Sequence, residues 1–132
     1  MNIVETDDWL MALPVEWRAE QEEDSIIISD EDGVGCIEIS ALYKDQGTGD
    51  FSAQEIKELL DHSDITASEQ ASLGDFSGWY GQGQEDDVAI RQWAVASANV
   101  LLFITYSCDD EHRGLDDAAV DELLSTLLLK RG

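Results

Sequence analysis

At 132 residues and 43% hydrophobic content, the chain has the length and composition of a single globular domain over residues 1–132. Thirty acidic residues against seven basic ones give a net charge of −23. That field repels phosphate backbones and anionic lipid, which excludes nucleic-acid and membrane-surface binding as roles. Two readings of the acid remain. Dispersed, it serves solubility or adaptation to salt, with no meaning for a partner. Gathered on one face, it docks a basic protein.

In chain order, Met1–Leu10 holds three acids, no base and no apolar core segment, so no signal peptide is expected. No apolar run is long enough to span a membrane. Trp9, Met11 and Leu13 alternate on one face of a strand that Pro14 ends, because proline lacks a backbone donor. The acidic stretch 20–24 separates this opening from Ser25–Ser29, a short β-branched strand. Asp30–Gly33 is a turn signal, and Cys36–Tyr43 alternates cleanly after it, which predicts a hairpin. The two cysteines, Cys36 and Cys108, fall in or at the end of predicted strands and read as small buried hydrophobes of a cytoplasmic protein.

A first helix is expected from Ser52 to near Ser63. Ser52 and Glu55 fit a capping box, and Phe51 and Ile56 occupy its staple positions. Thr66–Leu73 reads as a weak strand, Gly74-Asp75 as a turn, and Phe76–Gln82 as a strand interrupted by glycines. After a turn at Gln84–Asp87, Val88–Ser97 and Val100–Ser107 meet at Ala98-Asn99. The second of these runs is apolar on both faces over its first half, so it belongs at the centre of an antiparallel sheet covered on both sides. A second helix is expected over Asp116–Leu129. Asp116 is its N-cap, Leu115 and Val120 its staple, and Val120, Leu123, Leu124, Leu127 and Leu128 its apolar stripe. The sum is an α+β fold: one antiparallel sheet of about five to seven strands with two helices packed on it.

The opening Trp9, Met11, Leu13, Pro14 and Trp17, with the order of elements over nearly the whole chain, resembles the PsbP-like sandwich superfamily. That resemblance implies a fold without catalytic apparatus whose members mostly bind proteins. It transfers no site residue.

No reaction motif stands out. Cys108 and His112 are close in sequence but lack an elbow or helix N-terminus to activate a thiolate, and His62 stands at the end of the short helix. No zinc spacing occurs, and the carboxylate-bearing loops Asp30–Gly33, Glu85–Asp87 and Asp109–Glu111 miss the EF-hand spacing. Neither a metal nor a cofactor is expected. Gly78–Gly83 lacks the strand–loop–helix context and the Lys or Arg of a phosphate loop. Its adjacent Trp79 and Tyr80 must face opposite sides of a strand. Either one is an exposed anchor, or both are core and the glycines mark a bulge.

The expected function is a non-enzymatic, cytoplasmic protein-binding module, monomeric or weakly dimeric. Its form would be a chaperone or immunity partner of a bacterial toxin or effector. The candidate binding residues are the tips Asp30, Glu31 and Asp32 and Glu85, Asp86 and Asp87, with Trp79 and Tyr80. The alternative is a small ligand-binding or enzymatic domain with a cavity between sheet and helix.

Overall fold

A computed structural model describes residues 2–23, 25–31, 33–43, 51–61 and 69–130. Asp32, His62 and the stretch 66–68 of the expected weak strand lie outside the described residues. In chain order the strands are β1 (Asn2–Glu5), β2 (Trp9–Leu13), β3 (Trp17–Gln21), β4 (Ser25–Asp30) and β5 (Gly35–Tyr43). Helix α1 (Ala53–Asp61) precedes β6 (Glu69–Leu73), β7 (Phe76–Glu85), β8 (Val88–Ser97) and β9 (Val100–Asp109). A short 3-10 turn over Asp110–His112, α2 (Asp117–Leu124) and β10 (Leu128–Leu129) complete the described chain.

Seven strands form one antiparallel sheet in the order β3-β4-β5-β9-β8-β7-β6, and β9 is its middle strand. The two-sided apolar run explains that place: Leu101 and Leu102 are both fully buried, on opposite faces. One face is covered by α1, whose Ile56 and Leu60 pack against Ala94 and Leu101. The other carries the larger core. There Ile28, Ile37, Ile39, Trp93, Val95 and Ile104 meet Trp9, Met11 and Leu13 from β2 and Val120, Leu123 and Leu124 from α2. The result is a three-layer sandwich.

Strand β2 does not join the main sheet. It pairs with β1 and β10 in a second, three-stranded sheet. Neither β1 nor β3 has an apolar alternation long enough to announce a strand. Strand β3 is an edge carrying Arg18 and Glu20, and only Trp17 in it is buried.

The second helix is shorter than its apolar stripe. It ends at Leu124 rather than Leu129. Thr126 reverses the chain, donating its hydroxyl to the Leu123 carbonyl (2.6 Å) and accepting from the Ala12 amide (2.9 Å). Leu127 is buried from this turn, while Leu128 is 46% exposed in β10. Nor does Asp116 cap the helix with its side chain. Its carboxylate instead accepts the Tyr106 hydroxyl at 2.8 Å. The expected staple is absent too, since Leu115 is 65% exposed.

The first helix starts as expected. The Glu55 amide donates to Ser52 Oγ and the Ser52 amide to Glu55 Oε1, each at 3.1 Å. No bulge interrupts β7, whose residues pair one-for-one with β8 from Ser77↔Ala96 to Glu85↔Val88. Gly78 is needed there because a Cβ would collide with the Ala94 carbonyl of the neighbouring strand. Gly74 takes φ +62° where a Cβ would strike the Leu127 carbonyl, so the β6–β7 turn is fitted to the chain that follows α2.

Candidate protein-binding surfaces

Strand order determines which connections share an end of the sheet. The registers Trp17↔Asp30, Gly35↔Cys108 and Val88↔Asp109 bring the Pro14–Trp17 turn, the β4–β5 connection, the β7–β8 turn and the end of β9 to one end. Two backbone hydrogen bonds stitch these connections together: the Glu31 amide to the Glu16 carbonyl (3.0 Å) and the Asp110 amide to the Asp87 carbonyl (2.7 Å). Glu16, Asp30, Glu31, Glu85, Asp86, Asp87, Asp109, Asp110 and Glu111 therefore lie together. All but Asp30 and Asp110 are exposed, and both of those are half-buried.

Compensation at this end is sparse. Arg113 bonds Asp110 Oδ1 and Gln84 Oε1, both at 2.9 Å, and Arg18 stands one residue in from Trp17. Among the described residues Glu16, Glu31, Glu85, Asp86 and Asp87 make no ion pair, so their charge projects into solvent. Among the described residues the other acids are distributed over α1, α2, the strands β1, β3, β5 and β6, and the connections around Asp7, Glu22 and Asp75. The charge of the described residues is thus both dispersed and, at this end, gathered.

Asp109, Glu111 and His112 each place one potential ligand atom within 4.8 Å of the others. His112 Nε2 is 4.0 Å from Glu111, and its Nδ1 is buried without a partner. The two carboxylates are exposed, as acidic tips commonly are. No hydrogen bond joins Cys108 to His112 among the described residues. Cys108 is buried and Cys36 half-buried, and both thiols are free.

Trp79 and Tyr80 sit apart from the acidic end, in mid-strand, and face opposite sides as strand parity requires. Both are half-buried. Trp79 belongs to the α1 layer, with Lys57 Nζ 5.3 Å from its ring centroid. Tyr80 faces α2, tilted against Trp93 at 5.1 Å between centroids.

The Tyr80 side is organised by Arg91, a residue to which no sequence motif pointed. Its guanidinium donates to Tyr80 Oη (2.9 Å), Asp117 Oδ1 (3.3 Å) and Asp121 Oδ1 (2.7 Å). It also lies 4.7 Å from the Trp93 ring centroid and 5.3 Å from that of Tyr80. Burial alone would lower the pKa of this arginine, but the hydrogen bonds to Tyr80 and Asp121 raise it instead. This half-buried cation thus docks α2 on the sheet. Burial, then the bond to Asp116, likewise pushes the Tyr106 hydroxyl well above its ordinary range.

No family model matches the sequence, and no curated protein matches it by sequence. The solution structure of cyanobacterial PsbP (CyanoP) from Synechocystis sp. PCC 6803 superposes with a TM-score of 0.64 at 9% identity, over 98% of this chain and 92% of that one. The fold is PsbP-like. A crystal structure from Bacteroides thetaiotaomicron VPI-5482 gives a TM-score of 0.67 at 18% identity over 93% of this chain, which spans 45% of that longer one. LpqN of Mycobacterium tuberculosis, described as involved in cell envelope biogenesis, gives 0.58 at 17% identity over 93% of this chain and 83% of its own. At such identities the likeness concerns the fold alone.

Within the PsbP-like frame, the structure brings Asp30, Glu31, Glu85, Asp86 and Asp87 to one end and adds Glu16 and Asp109–Glu111 to them. Trp79 and Tyr80 are not among them. Among the described residues no helix is long and apolar enough to cross a membrane.

Proposed function

We propose that this chain is a non-enzymatic protein-binding module that presents the acidic end of its main sheet to a basic partner. The observation that supports this reading is the convergence at one end of carboxylates from four separate connections, with Arg113 and Arg18 as the nearby bases. Like charges so gathered raise one another's energy, and a cationic partner relieves that cost. Such a surface accelerates encounter, from about 10⁵–10⁶ M⁻¹s⁻¹ for neutral surfaces towards about 10⁸ M⁻¹s⁻¹ at low salt, and selects against acidic competitors. A basic toxin or secreted effector, neutralised or chaperoned in the cytoplasm, is the partner class that suits the charge.

The test begins by capturing partners on the immobilised protein, washing at low and high salt and purifying the dominant one. Binding is then measured to a variant carrying Glu31→Gln, Glu85→Gln, Asp86→Asn and Asp87→Asn. A control carries Glu22→Gln, Glu23→Gln, Glu58→Gln and Glu122→Gln. The reading expects the tip variant to lose association rate by about tenfold or more while the control changes little. Equal losses in both would mean that only net charge matters, and no loss in either would refute electrostatic docking.

A further inference from the structure

Strand β6 is the outermost strand of the main sheet on the side of α1 and α2, and among the described residues no strand lies beyond it. A hollow flanks it on each face of the sheet. On the α1 face a space of about 360 Å³ is lined by Gln70 and Ser72 and walled by Phe51, Ile56 and Trp79. On the α2 face a space of about 280 Å³ is lined by Glu69, Ala71 and Leu73 with Tyr80, Arg91, Trp93 and Asp121. The first hollow has a simple origin. Ser72, Ser77 and Ala96 occupy one row across three strands, so small side chains stand where the helix layer ends. Strand β6 is therefore a ledge with room above and below it.

The ledge is anchored and, among the described residues, lightly guarded by charge. Its far end is fixed by buried Leu73 and by the Asp75 amide bonded to the Leu127 carbonyl at 3.0 Å. The Leu129 amide donates back to Asp75 Oδ2, also at 3.0 Å. Sheet edges are ordinarily protected by charge. The opposite edge follows that rule, with Arg18 and Glu20 on β3, whereas β6 carries a single charge, Glu69, at its start.

We infer that β6 accepts an extended segment of another protein as an added strand, with apolar side chains filling the Phe51–Trp79 hollow and basic side chains on the other face reaching Glu69. Strand addition draws affinity from main-chain hydrogen bonds and specificity from pockets for alternate side chains, and the two hollows supply pockets on both faces. Exposed Glu69 supplies the negative side of the pairing, since Asp121 is already held by Arg91. The net charge of −23 disfavours an acidic segment or a second copy of this chain. Trp79 and Tyr80 thereby act as the floors of two side-chain pockets and not as projecting anchors. This surface is distinct from the acidic end.

The test uses the full chain, labelled with ¹⁵N, and a short synthetic peptide alternating lysine with valine and phenylalanine. A second peptide is N-methylated at alternate amides, which removes its ladder donors and leaves its charge intact. Saturable binding is expected, with amide shifts centred on Glu69–Leu73, and with N-methylation or Gln70→Lys weakening it by about tenfold or more. Neutralising Glu31, Glu85, Asp86 and Asp87 leaves those shifts in place, so this proposal and the acidic-end reading stand or fall separately. Equal affinity for both peptides, or shifts centred on Glu85–Asp87, would overturn the inference. So would a concentration-dependent dimer that Gln70→Lys abolishes, since a second copy would then be the occupant.

Discussion

Replacing Arg91 with Met removes the cation that fastens α2 to the sheet. The side chain is 14% exposed, while Asp117 and Asp121 are 48% and 60% exposed, so the two ion pairs are screened. Each is discounted to about 0.5 kcal/mol. The charged hydrogen bond to Tyr80 contributes about 1.5 kcal/mol, and stacking on Trp93 and Tyr80 about 1 kcal/mol. Against the resulting total of about 3.5 kcal/mol, releasing a half-buried cation from its desolvation and burying a thioether returns about 1 kcal/mol. A net loss of about 2.5 kcal/mol is expected from denaturant unfolding at unchanged slope. A cycle with Asp121→Asn then yields a coupling of about 0.5–1 kcal/mol that shrinks in salt. A loss below about 0.5 kcal/mol would show that Arg91 does not hold the helix.

Gly74→Ala combines a left-handed backbone with a collision at the Leu127 carbonyl, and should cost more than about 2 kcal/mol in the same unfolding assay. Ala98→Gly acts in the opposite sense. Ala98 holds φ +53° in the β8–β9 turn, and relieving it should stabilise by about 0.5–1 kcal/mol in the same assay. Ser52→Ala removes one half of the capping box and should cost about 1 kcal/mol, with faster amide exchange confined to the first turn of α1. At alkaline pH the raised tyrosine hydroxyls contribute to stability. Burial, then Asp116, raises Tyr106, and burial, then Asp8, pushes Tyr43 up to about 12, from an ordinary 10.0. Folded values above unfolded ones mean that this stability is complete below about pH 10 and is lost as pH rises beyond it. Tyr106→Phe should therefore be less stable at neutral pH, for want of the Asp116 bond, but decline less steeply above about pH 10. An identical slope would remove Tyr106 from the account.

Local pattern carried much of the fold. The β8–β9 pair, the β4–β5 hairpin and the capping box rest on interactions between near neighbours, and parity alone placed Trp79 and Tyr80 on opposite faces. Helical periodicity misled where tertiary contacts overrode it. Leu127 and Leu128 continue the α2 stripe, yet Thr126 bonds across to Ala12 and turns them into a buried corner and a two-residue strand. Asp116 sits at an N-cap position but is claimed by Tyr106. Of the acidic end, the tips were legible but their convergence was not. Each turn is visible in sequence, but their convergence depends on β5 pairing with β9, some sixty residues away. The Arg91 site depends on α2 crossing β8, which no local signal encodes.

The central claim, that the acidic end steers a basic partner, is tested most directly by the association rate of the purified partner as a function of ionic strength. For the unmodified chain the account predicts a rate that falls by about tenfold or more as the Debye length shrinks from about 30 Å at 0.01 M to about 8 Å at 0.15 M. With Glu31, Glu85, Asp86 and Asp87 neutralised, the curve should be clearly shallower. A salt dependence that is equally steep in both proteins would contradict the claim.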